Sequence, residues 1–233
     1  MKLKAILPHH IYQQYIKPLQ INFFESVGTR IYSQEGEDIL LDRMIGTRTK
    51  GFYIDVGAHH PYRYSNTCYF YKRGWSGINI EPNPELYRSF LKHRKRDINL
   101  NMGLNIKQQE LKYYYFDDPA MNTFSPEMAE ELIAGNYKLL RTEIVPTTTL
   151  ALALQDQSIP PIVDFINIDT EGFDFYIIQS NDWERIKPRF ILIESKAGNV
   201  QQVLDSELSV YLRSKNYEMI SKLYNTIIYK KNE

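Results

Sequence analysis

The sequence predicts an α/β fold that has a mostly parallel sheet and a C-terminal antiparallel hairpin. Short apolar runs typical of strands alternate along the chain with segments of helical length and amphipathic pattern. The run 162–168 is apolar almost throughout, which is typical of a central parallel strand buried on both faces. Near the end, segments 217–223 and 226–229 flank Tyr224-Asn225, a pattern that predicts the hairpin.

The predicted elements begin after an N-terminal extension, residues 1–31, in which only a short helix around 10–15 is expected. The rest of the chain, residues 32–233, is long enough for one α/β domain with a full core. No repeat or linker divides it. Its first helix is predicted at 37–46, because the apolar residues there recur on one helical face.

The segment that follows has the pattern of a strand, a turn, a helix and a second strand. Residues 52–54 form a short apolar strand, and Asp55-Val56-Gly57-Ala58 is the turn that leaves it. The helix is expected to stop at Gly74, because glycine readily adopts the left-handed conformation that closes a helix. The second strand covers 78–80 and ends at Glu81, since two proline residues prevent its continuation.

The middle of the chain adds a third strand with its exit at 98–104, and a strand at 111–116 in a hairpin beside the main sheet. A helix is predicted to start at Pro126, because Ser125 is a favourable N-cap and proline suits the first helical position. Further helices are predicted from Pro84, from Phe173 and over 200–212.

Acidic residues end the fourth and fifth strands. The fourth strand, 162–168, is followed by Asp169 and Glu171, and the fifth, 190–193, ends at Glu194. Because the carboxyl ends of adjacent parallel strands meet at one edge of a sheet, these three carboxylates are expected to converge.

The acids that end the first two strands indicate a nucleoside-containing ligand. In an open α/β sheet, ligands bind outside the carboxyl ends of the strands, where Glu81 can accept hydrogen bonds from ribose hydroxyls. A dinucleotide site needs G-x-G-x-x-G to hold a pyrophosphate, whereas here only Gly57 is present, followed by Ala58-His59-His60-Pro61. The missing phosphate cradle favours S-adenosylmethionine over NAD, because S-adenosylmethionine has no phosphate and its cationic groups suit nearby carboxylates.

Residues at the strand ends are predicted to contact this cofactor. Gly57 and its neighbour Ala58 let the backbone approach the ligand closely. Asp55 either orders the turn or meets the methionyl end of the cofactor, and Asp169 lies at the neighbouring strand end.

Four sequence blocks resemble the FkbM family of S-adenosylmethionine-dependent methyltransferases and occur in the family's order. They are YSQEGED at 32–38, IDVGAHHP at 54–61, GINIEPNP at 77–84 and FINIDTEG at 165–172. The resemblance implies a Rossmann-like, seven-stranded methyltransferase fold. It also implies O-methylation of a small-molecule or carbohydrate acceptor, such as a sugar or a natural product, without giving the acceptor.

The resemblance also assigns cofactor contacts outside the turn. The block before the first strand lies against the cofactor in the family, which implies a contact for Gln34 and also for Asp38. The alternative is that this block only caps the helix that follows. Folds of this kind place adenine contacts at the end of the third strand, which implies Asn101 and Gly103.

An alcohol acceptor needs a general base to remove its proton. Asp169 and Glu171 are the first candidates, and His60 is another because imidazole titrates near neutral pH. The alternative for His60 is a structural role. Carboxylates in close contact are costly unless they are neutralised by the cationic cofactor, a shared proton or a divalent cation, and the alternative is that one of them turns away to a backbone amide. A Mg²⁺ ion is a subordinate alternative, and no metal ligand is assigned.

Acceptor binding is predicted at two places. The insertion at about residues 105–148 lies between core strands and is predicted to be an acceptor-binding lid. Tyr62 and Tyr64 flank the cofactor turn and can line a carbohydrate pocket, with ordinary packing as the alternative.

The composition excludes some classes of function. Lys+Arg and Asp+Glu both number 28, so the net charge is zero, which argues against nucleic-acid binding. The basic run 92–96 is interpreted as a solvated helix end. A single cysteine, Cys68, fits a reducing compartment. With no membrane-spanning run and no signal-peptide core, the protein is expected to be cytoplasmic; its oligomeric state is left open.

Two rival functions share parts of this pattern. An NAD-dependent oxidoreductase would use the same acid for its ribose but needs a phosphate cradle. A noncatalytic module of the same fold would keep the cofactor site and show no turnover.

Overall fold

The computed structural model describes residues 30–46, 48–195 and 198–232. Within them, the strands are β1 Phe52–Val56, β2 Ser76–Ile80, β3 Ile98–Leu100, β4 Gly103–Leu104, β5 Gln109–Phe116, β6 Leu139–Thr148, β7 Phe165–Ile168, β8 Phe190–Glu194, β9 Tyr217–Lys222 and β10 Thr226–Lys231. The α-helices are α1 Glu37–Ile45, α2 Cys68–Lys72, α3 Pro84–His93, α4 Pro126–Ala134, α5 Leu150–Leu154, α6 Asp174–Gln179, α7 Val200–Asp205 and α8 Glu207–Ser214. A 3-10 helix covers Pro119–Met121.

A seven-stranded sheet with the order β3-β2-β1-β7-β8-β10-β9 forms the core of the domain. Its first five strands are parallel, whereas β10 is antiparallel to β8 and β9 is antiparallel to β10. The predicted fold class is therefore confirmed. In the register, Val56 of β1 lies beside Ile80 of β2 and Ile168 of β7, so the residues that follow these three strands meet at one edge of the sheet.

Apolar side chains cover both faces of the central strands. Side chains alternate between faces along a strand; on β1, Ile54 therefore packs in one buried cluster and Tyr53 in the other. The first cluster also contains Leu150 of α5, and the second contains Leu41 of α1. All residues of β7 are buried, which confirms a central strand covered on both faces.

The predicted third strand at 98–104 is wrong in extent, because it forms two strands. Ile98–Leu100 pairs with β2, while Gly103–Leu104 pairs with β6 in a second, three-stranded sheet of order β4-β6-β5. Asn101 lies at the break, and its side-chain amide donates hydrogen bonds to the carbonyls of Glu81 (2.8 Å) and Pro82 (2.9 Å).

Strand β6 is missing from the sequence-based prediction. It pairs antiparallel with β5 along almost its whole length, so the predicted hairpin beside the main sheet is present. Residues 140–144 are all exposed; the alternation of buried and exposed residues that marks a strand in a sequence is therefore absent.

Serine caps decide two helix boundaries. The Oγ atom of Ser125 accepts a hydrogen bond from the Met128 amide at 3.1 Å, which confirms the predicted start of α4. The predicted helix at 200–212 is two helices, because Ser206 is extended and its Oγ accepts from the Ser209 amide at 3.2 Å. The second helix therefore starts afresh at Glu207.

The N-terminal predictions lie mostly outside the described residues. This applies to the expected helix around 10–15 and to all of residues 1–31 except Arg30 and Ile31. The division into an extension and a domain at 32–233 stays a prediction. Across the part of the chain that is described, no helix combines the length and apolar character that crossing a bilayer requires.

Candidate cofactor and active site

The turn that leaves β1 bends toward β2 and touches the end of β7. The amides of Gly57 and Ala58 both donate to the carbonyl of Ile80, at 3.0 and 3.1 Å. Gly57 has a φ of +73°, and a Cβ at this position would lie 1.8 Å from the carbonyl oxygen of Asp169. Only glycine fits this contact, so the residue is required for packing between strand ends as well as for the predicted approach of a ligand.

Glu81 is held rigidly at the end of β2. The residue is only 4% exposed, and its two carboxylate oxygens accept 2.8 Å hydrogen bonds from the amides of His59 and Asn83. Burial raises the pKa of Glu81 to about 8, although the two amide donors oppose this shift. Each carboxylate oxygen has a further lone pair, so Glu81 can also accept hydrogen bonds from ligand hydroxyls.

The raised pKa of Glu81 predicts a pH-dependent stability. Between the ordinary pKa near 4.5 and about 8, the folded protein holds a proton that the unfolded chain releases. The free energy of unfolding should therefore fall as pH rises through this window, by up to ~5 kcal/mol from this group alone. We expect Glu81→Gln to flatten the slope, as measured by urea unfolding at several pH values. An unchanged slope would contradict this account.

A cleft lies at the edge of the sheet where β1, β2 and β7 end, and its empty space, counted together with the adjoining open solvent, is about 530 Å³. Glu81, His59, Asn122 and Asp169 provide its polar groups. Its other lining residues are mainly apolar and comprise Val56, Gly57, Ile80, Pro82, Met102, Leu104, Tyr113, Pro119, Ala120, Phe124, Thr170, Phe173 and Ile177. An apolar cleft with a few fixed polar groups is suited to an aromatic base attached to a sugar.

A second, more polar cavity adjoins this cleft. It is lined by Gln34, Asp55, Gly57, Ala58, His59, Tyr64, Ala120, Asn167, Asp169 and Glu171. Gly57, His59, Ala120 and Asp169 line both spaces, so the two form one continuous groove along the strand ends. The structure thus brings together Gln34, Asp55, Gly57, Ala58, Glu81, Asp169 and Glu171 from the predicted site.

Asp55 has an ordering role in this groove. It is buried, and its carboxylate accepts hydrogen bonds from Thr67 Oγ1 at 2.7 Å and Asn167 Nδ2 at 2.9 Å. Burial raises its pKa, while these two donors favour the carboxylate. Asp55 therefore ties α2 and β7 to the turn, and it also lines the polar cavity.

His59 is a site residue that the sequence-based interpretation missed. It lines both parts of the groove, and its buried Nδ1 has no hydrogen-bond partner among the described residues. Burial, followed by the charges of His60 and Arg63, lowers its pKa to about 4, so the ring is neutral at physiological pH. The only sequence signal was its place directly after Asp55-Val56-Gly57-Ala58.

His60, the histidine chosen as a candidate base, is placed differently. Its Nδ1 accepts hydrogen bonds from the amides of Tyr62 (3.1 Å) and Arg63 (3.0 Å), and the residue is not among the described residues that line either cavity. This geometry corresponds to the structural alternative, in which the ring organises the turn.

Three carboxylates converge where β7 and β8 end, as the strand ends predict, and two of them, Asp169 and Glu171, line the polar cavity. One oxygen each from Asp169, Glu171 and Glu194 lie within 4.8 Å of one another. Burial and then the charges of Glu194 and Glu171 raise the pKa of Asp169 well above its ordinary value. Asp169 therefore holds a proton under conditions in which an exposed aspartate would not.

The remaining predicted contacts lie beside the groove. Asp38 accepts hydrogen bonds from Ser33 Oγ (2.8 Å) and the Tyr32 amide (2.9 Å), so it orders the segment before α1, whose N-cap, Gly36, has no side-chain capping bond. The side-chain amide of Asn101 donates a hydrogen bond to the backbone at the strand break. Gly103 packs closely against the Phe124 ring, since a Cβ at this position would lie 2.6 Å from it. At this strand end, Met102 and Leu104 line the cleft instead.

Three of the solved structures to which this chain is similar are named as methyltransferases. The METTL16 MTase domain has a TM-score of 0.46 and 12% identity, with 83% of this chain and 65% of that chain covered. A TehB-like SAM-dependent methyltransferase from Corynebacterium glutamicum has a TM-score of 0.42 and 13% identity, with 97% of this chain and 100% of that chain covered. The precorrin-6y C5,15-methyltransferase from Geobacter metallireducens has a TM-score of 0.41 and 12% identity, with 83% of this chain and 88% of that chain covered. A search of curated proteins finds no match.

The sheet order is that of the Rossmann-like, seven-stranded methyltransferase fold. The particular family follows from the sequence itself, because the model of the Methyltransferase FkbM domain matches residues 55–219. The chain belongs to the FkbM methyltransferase family, as the four sequence blocks predict.

Proposed function

We propose that this methyltransferase methylates a hydroxyl group of a sugar, a polysaccharide or a glycosylated small molecule. The observation that carries the proposal is the continuous groove between a fixed carboxylate, Glu81, and a carboxylate cluster at Asp169 and Glu171. One end of the groove suits a nucleoside, and the other suits a hydroxyl that must lose a proton.

The groove residues fit S-adenosylmethionine. Glu81 would accept hydrogen bonds from the ribose hydroxyls, and Met102, Leu104 and Phe124 offer apolar surface to the adenine. The orphaned Nδ1 of His59 offers a neutral hydrogen-bonding atom between the two parts of the groove. S-adenosylmethionine supplies an activated methyl group on a cationic sulfonium, and the carboxylates around the groove favour that charge.

Removal of Glu81 tests the cofactor site directly. We expect Glu81→Ala to weaken S-adenosylmethionine binding ~10- to 100-fold, because the hydrogen bonds between the ribose hydroxyls and the Glu81 side chain are lost. Isothermal titration calorimetry measures the change. Glu85→Ala is the matched control, since Glu85 is an exposed glutamate in the first turn of α3. Equal affinities for the two variants would contradict the ribose contact.

Glu171 is the proposed general base. Burial and the neighbouring carboxylates raise the pKa of Asp169, which favours its protonated form, and that form cannot act as the base. Glu171 lines the polar cavity beside it and can take the proton of the acceptor hydroxyl. A φ of +50° places Glu171 in the left-handed region, a strained conformation often found at functional sites.

Substitution of the two acids distinguishes their roles. We expect Glu171→Gln to lower kcat ~10²- to 10⁴-fold while the affinity for S-adenosylmethionine changes little. Asp169→Asn retains a neutral side chain of similar shape and should have the smaller effect on kcat. Formation of S-adenosylhomocysteine with an acceptor from a sugar panel is the readout. A larger loss for Asp169→Asn would reverse the assignment.

The insertion at about 105–148 is proposed as the acceptor lid of a catalytic domain spanning 32–233. It contributes Tyr113, Pro119, Asn122 and Phe124 to the cleft, and Ala120 to both cavities. A segment that contacts both parts of the groove is well placed to cover an acceptor. The ring of Tyr64 stacks on His59 with ring centroids 6.4 Å apart, and in this proposal it offers an aromatic face against which a sugar ring can pack.

The metal alternative rests on the carboxylate cluster. Its oxygen ligands suit Mg²⁺, and the same residues also fit a shared proton or the cationic cofactor. A divalent cation is not required by the proposed reaction, and activity that survives EDTA would support this. Nucleic acid is not the proposed acceptor, because the net charge of the chain is zero.

A further inference from the structure

Strand β6 has an edge without a strand partner among the described residues. On one side it pairs with β5 from Leu139 to Thr147. On the other side it pairs with β4 only at Thr147 and Thr148. The edge from Leu139 to Pro146 is therefore open within the part of the chain that is described, and such edges readily pair with another strand.

The backbone groups of this edge point outward in a regular pattern. The amide of Asn105 donates to the carbonyl of Thr148 at 2.8 Å, so the peptide groups of Thr148 face away from β5. No register shift interrupts the pairing between Arg141 and Thr147. Because backbone groups alternate along a strand, Thr142 and Ile144 also direct their amides and carbonyls toward the open edge.

The side chains on the two sides of Thr142 are complementary to one another. Leu140 and Ile144, two residues away on either side, are 53% and 61% exposed. Arg141 and Glu143 are the immediate neighbours of Thr142, and they have opposite charges and exposed side chains. An antiparallel copy of the same strand, centred on Thr142, therefore meets a complementary sequence.

We propose that two copies of this chain associate through β6, paired antiparallel about a two-fold axis at Thr142. Thr142 of each copy then exchanges backbone hydrogen bonds with Thr142 of the other. Arg141 lies opposite Glu143, and Leu140 opposite Ile144, of the second copy. Opposite charges on directly facing residues stabilise a strand pair, while like charges destabilise it. The ion pair now formed within each chain, 2.8 Å between Arg141 Nε and Glu143 Oε1, becomes part of a four-charge cluster.

Two features limit the length of this contact. Pro146 has no amide hydrogen to donate at the open edge. At the other end, a register shift places Leu139 opposite Phe116 and Arg141 opposite Tyr115, so Leu140 lies in a bulge. The backbone ladder is thus confined to a few residues around Thr142. A contact of this size is small, and the dimer should form in a concentration-dependent way.

Charge reversal provides the test, with sedimentation velocity over a concentration series as the measurement. We expect the wild-type protein to shift from monomer to dimer as its concentration rises. Arg141→Glu alone and Glu143→Arg alone should each weaken dimerisation about tenfold or more, because like charges then face each other twice. The doubly substituted chain and an equimolar mixture of the two single variants should both associate as the wild type does.

A substitution that removes a backbone hydrogen-bond donor provides an independent test of the dimer. Thr142→Pro removes an amide hydrogen that faces the open edge and leaves the hydrogen bonds to β5 in place, so it should abolish dimerisation. Thr142→Val keeps that amide hydrogen and should dimerise. Monomeric wild-type protein at every concentration would overturn the proposal, as would single charge variants that dimerise like the wild type. Circular dichroism confirms that each variant remains folded.

Discussion

Replacing Gly57 by alanine is expected to destabilise the fold by ~2–5 kcal/mol and to abolish cofactor binding. A Cβ here would lie 1.8 Å from the carbonyl oxygen of Asp169, and a backbone atom cannot move aside as a flexible side chain can. The change would separate the ends of β1 and β7, which both contribute to the groove. Urea unfolding and calorimetry with S-adenosylmethionine measure the two effects.

Gly36→Ala is the matched control for this prediction. Gly36 also has a positive φ, +86°, but nothing lies within 4 Å of the position where a Cβ would stand. This variant measures the conformational strain alone, at ~1 kcal/mol. If Gly57→Ala cost no more than Gly36→Ala, the close contact between the strand ends would not be a determinant of stability.

Arg94→Met is expected to destabilise the protein by ~3–5 kcal/mol. Arg94 is fully buried, with its Nη1 3.6 Å from an oxygen of Asp97, which is also fully buried. Removing the guanidinium leaves the Asp97 carboxylate without its counter-charge. The same guanidinium donates to the carbonyl of Pro61 at 3.1 Å and to Ser65 Oγ at 2.9 Å, so it also anchors the chain between the cofactor turn and α2.

Two variants separate these contributions of Arg94. Arg96→Met is the matched control, since Arg96 is exposed and lies over the ring of Tyr71 at 3.9 Å; it should change the free energy of unfolding by less than ~1 kcal/mol. Adding Asp97→Asn to Arg94→Met removes the unpaired charge and should recover part of the lost stability. Equal effects of Arg94→Met and Arg96→Met would contradict a structural role for the buried pair.

The sheet and most of the site could be predicted because they depend on local patterns. Short apolar runs identify the parallel strands, and the position of Asp55, Glu81 and Asp169 relative to those runs places them at one edge. The convergence of Asp169, Glu171 and Glu194 follows from the adjacency of β7 and β8. These inferences need only strand ends and the parallel arrangement.

Other features depend on tertiary contacts that a single sequence does not reveal. The basic run 92–96 was expected to be a solvated helix end, yet Arg94 is buried because Asp97, Tyr53 and Ser65 satisfy its guanidinium. The expectation is wrong for this residue and holds for Arg96, which is exposed. A count of charges in sequence cannot distinguish the two.

The sequence also could not show which of the two adjacent histidines, His59 or His60, lines the groove. His59 lines the groove and His60 accepts two backbone hydrogen bonds, because the turn has a left-handed residue at His59, with φ +52°. That conformation is uncommon for residues other than glycine, and the sequence does not show which of the two histidines adopts it. Strand β6 was missed for another reason: it is an exposed edge, so its apolar residues do not alternate with polar ones.

Calorimetric titration of the purified protein with S-adenosylmethionine and, separately, with NAD tests the central claim most directly. Each titration is done with and without Mg²⁺. The account predicts saturable binding of S-adenosylmethionine with one site per chain, independent of Mg²⁺, and no binding of NAD. Binding of NAD, or of neither ligand, would contradict the assignment of the groove at Glu81 and Gly57 as a methyltransferase cofactor site.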